Sequence, residues 1–335
     1  MIICRSPYRV SFFGGGTDYE KWFKKNSGAF LSSAINYYCY SIINLRDVSA
    51  KPNYRVIWRI IENVSKLEKI EQPIVREALK LIKPKYTSGE YIYLGDLPSR
   101  SGIGSSSAYA VSVIHSLLTS KNIQASKYEI ADLAYKLEFE CLRENIGIQD
   151  SIAASFGGLN FVKIKKNGKY VVSPLMLDES QKQKFYDRIL LVFSDEQRTA
   201  SSMAKKTIIA MKSKEKAFFE FEKMAIEAKD LILKSNFDLF GDMLREAWEI
   251  KSSLTKNMTT KRVDEIIETA KKSGALGYKL LGAGGGGFIM LFFKEGMKKK
   301  FYLKNKDIFF IIEPKIDEKG SVIVENKKNV WTGEK

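Results

Sequence analysis

A glycine- and serine-rich segment leads directly into a helical pattern at residues 102–118, GIGSSSAYAVSVIHSLL. Val111, Ile114 and Leu117 recur at the spacing of one helix face, so a buried helix is expected behind the glycines. Helix N-termini carry unpaired N–H groups and the positive end of the helix dipole. Residues 102–108, here called the central glycine loop, therefore predict an anion-binding loop or a helix capped by serines. Three serines behind two glycines favour the anion-binding loop.

Two further glycine-rich loops flank this segment. The last glycine loop, GAGGGG at residues 282–287, satisfies the G-x-G-x-x-G spacing, but the strand-like FIMLFF follows it where a dinucleotide-binding fold needs a helix. It predicts a turn between buried strands, or backbone packed against another phosphate-binding loop. The first glycine loop, GGGTDY at residues 14–19, follows a strand that carries Arg9 and includes the carboxylate of Asp18.

Periodicity and turn signals outline the rest of the chain. Strands are expected at 2–13, 29–46 and 188–195, and Asn167-Gly168 predicts a hairpin turn. Helices are expected at 73–83 and 126–143, then around 199–234 and 237–254, with a further helix that ends at Gly274. The shift from strands to helices predicts a domain boundary near residue 180, between a strand-rich N-terminal domain, 1–180, and a helix-rich α+β C-terminal domain, 181–335.

The chain is strongly basic, with a formal net charge of +16 over 335 residues. Such a charge suits nucleic acid or small anionic substrates. The lysines lack the interleaved aromatic residues of a base-stacking surface, which favours small anions over nucleic acid. The apolar runs are too short to span a bilayer. Three distant cysteines argue against disulfides or a cysteine metal site, and with no signal-like N-terminus a cytoplasmic location is expected.

The catalytic groups that the sequence offers are carboxylates. The single histidine, His115, is expected to be a packing residue, and with one histidine a histidine-based triad or a histidine-rich metal site is hard to build. Glu138 and Glu140 lie on a predicted helix, and Asp150 follows a loop, where it is either a helix N-cap or a base for a hydroxyl. Anion-binding loop, carboxylates and arginine together suggest phosphoryl transfer.

Three motifs, SPYRVSFFGGGTDY at 6–19, GIGSSSA at 102–108 and KLLGAGGGGF at 279–288, resemble those of the GHMP small-molecule kinases, in the same order. The resemblance implies two α+β domains with the active site in the cleft between them, and ATP with Mg²⁺. It assigns the ATP phosphates to the central glycine loop: Gly102, Ile103, Gly104, Ser105, Ser106, Ser107 and Ala108.

The same resemblance implies a role for individual residues. Asp150 falls at the catalytic aspartate, and Arg9 at the cation facing the acceptor oxygen. Ser106 and Glu138 fall at the Mg²⁺ ligands, with Glu140 as the alternative glutamate. Arg198, at an expected helix start, is either a phosphate clamp or a surface arginine. The acceptor is expected to contact the first and last glycine loops, through Gly15, Gly16, Thr17, Asp18, Gly284 and Gly285.

The first motif points to a branch of the family. Galactokinases carry Gly-Glu-His-Thr-Asp, whereas residues 14–18 read Gly-Gly-Gly-Thr-Asp. The motif is most similar to kinases that phosphorylate the anomeric hydroxyl of D-glycero-D-manno-heptose 7-phosphate, and the basic charge suits such a sugar-phosphate substrate. L-fucokinases are the nearest alternative; a nucleic-acid-binding protein and a dinucleotide-dependent oxidoreductase are alternatives of other classes. The oligomeric state stays open.

Overall fold

The chain folds into two β-sheets with helices packed on them. The computed structural model describes residues 1–46, 51–196, 200–254, 258–282 and 284–327, with backbone alone for 200–203. The strands are β1 (Ile2–Phe13), β2 (Gly28–Leu45), β3 (Tyr54–Ile57), β4 (Ile61–Val64), β5 (Gly89–Gly95), β6 (Leu159–Ile164), β7 (Tyr170–Pro174), β8 (Ile189–Phe193), β9 (Ala275–Leu280), β10 (Phe288–Phe293), β11 (Ile311–Ile312) and β12 (Val322–Asn326). The helices are α1 (Glu20–Asn26), α2 (Pro73–Ile82), α3 (Ser105–Ser120), α4 (Lys127–Lys136), α5 (Gln149–Phe156), α6 (Glu179–Tyr186), α7 (Ala200–Ser213), α8 (Glu215–Leu233), α9 (Phe237–Ser252), α10 (Lys261–Lys272) and α11 (Met297–Asn305).

The larger sheet has the strand order β12-β1-β2-β5-β3-β4, with β6 paired to β2 and β7 to β6. The long strand β2 is rich in aromatic and β-branched residues, which favour extended structure. It pairs with β5 through residues 39–45 and with β6 through residues 28–33. The hairpin predicted at Asn167-Gly168 is confirmed, because it joins the antiparallel strands β6 and β7.

The smaller sheet is antiparallel in the order β11-β8-β10-β9. Every residue of β8 and β10 is buried, as expected from their uninterrupted apolar sequences. Residues up to 174 build the larger sheet and residues 189–312 build the smaller one. However, β12 returns from the end of the described chain to pair with β1. The division at residue 180 stays a prediction, and one strand beyond it belongs to the larger sheet.

Helix α3 is the central helix of the fold. It packs against β1, β2, α2, α4 and α5, and most of its residues are buried. The predicted helical stretch 199–234 is two helices, α7 and α8, because Lys214 leaves the helical conformation. The Nζ of Lys214 donates to the carbonyl oxygen of Ser253 at 2.6 Å, which ties this break to the end of α9.

Local signals explain several helix ends. Pro73 occupies the first turn of α2, and the side chain of Gln72 accepts hydrogen bonds from two backbone amides of that turn. Helix α10 closes at Gly274, whose φ of +88° is the left-handed conformation that glycine adopts without strain. Both sheets carry helices, which confirms the α+β prediction. None of the described helices combines the length and hydrophobicity needed to cross a bilayer.

Candidate active site

Arg9 of β1 and Asp150 of α5 form an ion pair at the centre of the candidate site. The guanidinium donates from Nε to Asp150 Oδ1 at 2.7 Å and from Nη2 to Oδ2 at 2.8 Å. Such a bidentate contact fixes the orientation of both side chains. Arg9 also donates from Nη1 to the carbonyl oxygen of Gly102 at 2.5 Å. Because Ile148 is the N-cap of α5, the N-cap alternative for Asp150 is wrong.

The central glycine loop presents the N-terminus of α3 beside this ion pair. The N-cap is Gly104, with a φ of +74°, and among the described residues no side chain caps the helix. Its first backbone N–H groups therefore have no capping oxygen, and the helix dipole adds to their attraction for an anion. A Cβ at Gly104 would lie 3.2 Å from Asp150 Oδ2, so the N-terminus of α3 lies directly beside the ion pair.

The three serines of the loop are helical residues rather than caps. Ser105, Ser106 and Ser107 are the first three residues of α3, so the serine-cap alternative is wrong. Ser106 is exposed and donates from Oγ to Glu138 Oε1 at 2.6 Å. Ser105 accepts from the backbone N–H of Arg100 at 3.3 Å.

Glu138 is the buried carboxylate of the site. It lies in a π-helical turn, Leu137–Cys141, that follows α4, and its exposed fraction is 1%. Burial raises its pKa to about 7, with a smaller contribution from the charge of Asp150. Oε2 has no hydrogen-bond partner among the described residues, although buried carboxylate oxygens normally have one. Glu140, two residues later, is exposed. The turn therefore presents Glu138, and not Glu140, to Ser106.

The Ser106–Glu138 pair fits a magnesium ion. Mg²⁺ prefers oxygen ligands and is usually bound by one or two carboxylates together with substrate phosphates and water. The hydrogen bond between the two residues uses only the hydroxyl proton, so lone pairs of Ser106 Oγ and the unpartnered Glu138 Oε2 stay available. Within the described ranges, no group of three histidine, cysteine, aspartate or glutamate side chains could hold a metal by itself. Substrate phosphates would complete the coordination.

The last glycine loop packs against the central one. A Cβ at Gly282 would lie 2.7 Å from the Cα of Gly102, and a Cβ at Gly102 would lie 2.5 Å from the carbonyl oxygen of Leu281. Glycine is required here because the two backbones touch. The last loop joins the antiparallel strands β9 and β10, with a strand rather than a helix after Gly287, so a dinucleotide fingerprint is excluded. The structure shows both a turn between buried strands and close backbone packing on the central loop; phosphate binding by the central loop stays a prediction.

The first glycine loop is attached to the start of α5. Asp18 is buried, and its Oδ1 accepts from the backbone N–H of Gly16 at 2.8 Å, whereas Oδ2 accepts from that of Gln149 at 3.3 Å. Burial raises the pKa of Asp18 to about 6, and the charge of Asp150 adds to the rise. The Thr17 hydroxyl is also buried and donates to the carbonyl oxygens of Gly14 and Ala29. The expected acceptor contacts of Thr17 and Asp18 thus compete with backbone contacts.

The remaining expected acceptor contacts differ in exposure. Gly15 is half-buried, while Gly16, Gly284 and Gly285 are buried. The amide of Gly285 donates to the carbonyl oxygen of Met258 at 3.0 Å. Arg198 lies outside the described residues.

Two lysines that sequence reasoning missed lie at the site. Lys279 on β9 is buried and donates to the carbonyl oxygens of Ser11 at 2.8 Å and Phe12 at 2.6 Å. Lys251 on α9 donates to the carbonyl oxygen of Gly282 at 2.8 Å. Lys279 interrupts an apolar strand, and Lys251 continues the buried helix positions 240, 244 and 247. A lysine within an apolar strand or helix face is rarely buried without a partner, so these two positions could have been identified from the sequence as candidate site residues.

His115 does not belong to the site. Its Nδ1 is 2.8 Å from Ser321 Oγ and 3.7 Å from Cys4 Sγ, in a cluster where α3 meets β1 and the start of β12. Burial lowers its pKa. This arrangement agrees with the expectation of a packing residue.

Known proteins share both halves of this arrangement. Residues 73–158 match the family described as GHMP kinases N terminal domain, and residues 228–306 match GHMP kinases C terminal. The D-glycero-alpha-D-manno-heptose 7-phosphate kinase of Campylobacter jejuni is 29% identical over 315 residues, covering 90% of this chain and 92% of that protein. The bifunctional fucokinase/GDP-fucose pyrophosphorylase of Arabidopsis thaliana is 26% identical over 320 residues, covering 88% of this chain but 30% of that protein.

A solved structure supports the fold. The crystal structure of a D-glycero-D-manno-heptose 1-phosphate kinase from Bacteroides thetaiotaomicron superposes with a TM-score of 0.80 and covers 98% of this chain and 100% of that one. The identity is 21%, so this likeness concerns the fold alone.

Proposed function

This chain belongs to the GHMP kinase family, and on that premise we propose that it transfers the γ-phosphoryl group of ATP to the anomeric hydroxyl of D-glycero-D-manno-heptose 7-phosphate, giving the 1,7-bisphosphate. One observation carries the catalytic part of the proposal: the Arg9–Asp150 pair lies directly beside an uncapped helix N-terminus. A carboxylate for the acceptor hydroxyl and an anchor for ATP phosphates are thereby brought together.

ATP, which GHMP kinases use as phosphoryl donor, binds through its phosphates to the central glycine loop. The amides of the first turn of α3 donate to the phosphate oxygens, and the helix dipole favours their negative charge. The last glycine loop holds this backbone in place through the contact of Gly282 with Gly102. Since neither position has room for a Cβ, both glycines are needed for the loop to keep its shape.

Ser106 and Glu138 hold Mg²⁺, which family members typically require. When bound, Mg²⁺ neutralises charge on the phosphate oxygens. Ser106 supplies a hydroxyl oxygen from the first turn of α3. Glu138 supplies the oxygen that has no partner among the described residues, and ion binding favours its charged form despite the pKa of about 7.

Asp150 orients the sugar hydroxyl and receives its proton. Because Arg9 fixes both carboxylate oxygens, the remaining lone pairs of Asp150 keep one orientation. As the hydroxyl oxygen forms its bond to the γ-phosphorus, the bond from that phosphorus to the β–γ bridging oxygen breaks and ADP leaves. The hydroxyl proton passes to Asp150, and Arg9 offsets negative charge that develops nearby. Asp18 positions α5 through Gln149, and Asp150 with it.

The choice of sugar rests on the sequence. The Campylobacter jejuni relative that is named for heptose 7-phosphate matches almost the whole chain. L-fucose is the second candidate, since a fucokinase-containing relative matches 88% of this chain. The net charge of +16 suits an acceptor that already carries phosphate. Gly15 and Gly16 of the first loop and Gly284 and Gly285 of the last complete the proposed acceptor side.

ADP release with a panel of acceptors tests this proposal. D-glycero-D-manno-heptose 7-phosphate, L-fucose, galactose and mevalonate are each supplied with ATP and Mg²⁺. We expect the heptose phosphate to give the highest kcat/KM, and ³¹P NMR of the product to show a new phosphate on the anomeric carbon. A higher kcat/KM for L-fucose would select the second candidate. If none of the acceptors releases ADP above background, while RNA or DNA binds with a steep salt dependence, the chain is a nucleic-acid-binding protein.

A further inference from the structure

Lys279 connects the strand before the last glycine loop to the strand before the first one. Its Nζ donates to the carbonyl oxygens of Ser11 at 2.8 Å and Phe12 at 2.6 Å, and its exposed fraction is 5%. Its neighbours Tyr278 and Leu280 pack in the apolar core on one face of the smaller sheet. Because successive side chains of a strand point to opposite faces, Lys279 lies on the other face, towards the larger sheet.

The two carbonyl oxygens that Lys279 binds lie at an irregularity in β1. In the pairing of β1 with β2, residues 11 and 13 face adjacent residues of β2, so the register skips Phe12. Such a bulge disrupts the hydrogen bonds of the ladder and bends the strand. The hydrogen bonds from Lys279 therefore fix the end of β1 at the point where the chain enters the first glycine loop.

The contact of Lys279 completes a ring of contacts among the three glycine loops. The backbone N–H of Arg9 in β1 donates to the carbonyl oxygen of Ile103 in the central loop at 3.1 Å. The central loop touches the last loop where Gly102 meets Gly282. Lys279 lies just before the last loop in the chain and returns the connection to β1. It therefore links the acceptor side directly to the two loops that are proposed to hold the ATP phosphates.

The two hydrogen bonds of Lys279 do not require its charge. Burial and the charges of Lys251 and Arg9 lower the pKa of Lys279. An ammonium group carries three N–H donors, and a neutral amine still carries two. The lysine therefore holds the end of β1 in either protonation state.

We propose that Lys279 is a positioning residue for phosphoryl transfer, which holds the acceptor hydroxyl beside the γ-phosphate of ATP. The proposal rests on the function proposed above. Lys279 acts on the acceptor through β1 and the first glycine loop, and on the ATP phosphates through the last and central loops. A displacement of about 1 Å between reacting groups lowers a rate by about 10²-fold, so loss of this contact should affect turnover more than the binding of ATP.

Lys279→Met tests the proposal, because methionine removes the hydrogen bonds but keeps an unbranched side chain of similar length. ATP labelled at the γ-phosphate distinguishes transfer to the sugar from transfer to water, which gives ADP and inorganic phosphate. We expect kcat for sugar phosphate to fall about 10- to 100-fold, while calorimetric titration gives a Kd for ATP close to that of wild type. Water should replace the displaced hydroxyl in part of the turnovers, so the ADP released should exceed the sugar phosphate formed.

Lys127→Met is the matched control. The Nζ of Lys127 also donates to two backbone carbonyl oxygens, those of Phe156 at 2.7 Å and Lys319 at 3.0 Å. Lys127 is exposed and joins the end of α5 to the segment before β12. Its replacement should lower the free energy of unfolding but leave kcat and the ratio of ADP to sugar phosphate unchanged.

Lys279→Gln is the second variant and replaces Lys279→Met if the methionine variant does not fold. The glutamine amide keeps N–H donors for a carbonyl oxygen, but its side chain is shorter than that of lysine. It should therefore hold the end of β1 less precisely and give the same excess of ADP over sugar phosphate.

The ratio of the two products separates positioning from stability. A loss of stability alone lowers the amount of folded enzyme, so ADP and sugar phosphate would fall together. Such a parallel fall, or a kcat equal to that of wild type, would overturn the proposal and leave the function of the wild type intact. If wild type phosphorylates none of the acceptors in the panel, the proposed function is wrong, and the role of Lys279 is wrong with it.

Discussion

Replacing Glu138 with glutamine should make the protein more stable and less active. Glutamine keeps the shape of the side chain and an oxygen to accept the hydrogen bond from Ser106, but it removes the charge. The cost of that charge follows from the rise of the pKa from its ordinary 4.5 to about 7, caused by burial. At ~1.36 kcal/mol for each pKa unit, ionised Glu138 costs about 3 kcal/mol in the folded protein.

The sign of this effect depends on pH. The unfolded chain releases the proton of Glu138 near pH 4.5, and the folded chain releases it near pH 7. The folded state binds more protons across this window, so wild type loses stability as the pH rises through it. Above pH 7 the full cost is present. Glu138→Gln should therefore match wild type near pH 4.5 and exceed its free energy of unfolding by about 3 kcal/mol at pH 8.

Urea unfolding without nucleotide at pH 5 and pH 8 measures the gain in free energy of unfolding of Glu138→Gln. ADP release measures its loss of activity. Removal of a metal ligand should lower Mg²⁺-dependent kcat about 100-fold, because stabilisation of the phosphate charge is lost. Glu140→Gln, two residues later and exposed, is the matched control and should change neither quantity. A Glu138→Gln variant that is less stable than wild type at pH 8, or that keeps its Mg²⁺-dependent turnover, would refute the reasoning.

Three further substitutions, together with one control at Gly296, test the remaining predictions. Arg9→Lys loses the bidentate contact with Asp150 and should lower kcat about 100-fold in steady-state assays. A loss below about threefold would contradict the pairing role. Gly282→Ala places a Cβ 2.7 Å from the Cα of Gly102 at a φ of +72° and should cost about 2–3 kcal/mol in urea unfolding and raise KM for ATP. Gly296→Ala is the control, because Gly296 has a φ of +76° but no atom within 4 Å of its Cβ; it should lower the free energy of unfolding by about 1 kcal/mol. Equal losses at both positions would show that contact between the two loops does not require glycine at 282. His115→Gln should leave kcat and both KM values unchanged, and a large loss of kcat would return this histidine to the chemistry.

Local sequence signals were sufficient for much of the fold. The helix after the central glycine loop, the turn at Asn167-Gly168 and the end of α10 at Gly274 each depend on residues close together in the chain. Their hydrogen-bonding and backbone preferences act over a few positions, so the sequence pattern and the structure agree there.

The long-range contacts that assemble the site could not be predicted from local sequence patterns. Gly102 and Gly282 touch although they are far apart in sequence, and the number of glycines in each loop gives no register between them. Helical periodicity also could not choose between Glu138 and Glu140, because the π-helical turn changes which side chain faces α3. The ammonium of Lys251 reaches Gly282 only after α9 has packed on the smaller sheet.

The roles of the site residues stay predictions, and Asp150 tests them most directly. We expect Asp150→Asn to lower kcat for heptose 7-phosphate about 10³-fold, within the range for loss of a general base, because the acceptor hydroxyl loses its carboxylate. Calorimetric titration of the same variant with ATP and Mg²⁺ should give a Kd close to that of wild type, since the central glycine loop is unchanged. A variant that binds ATP normally and still turns over at near wild-type rate would show that Asp150 does not act on the acceptor hydroxyl.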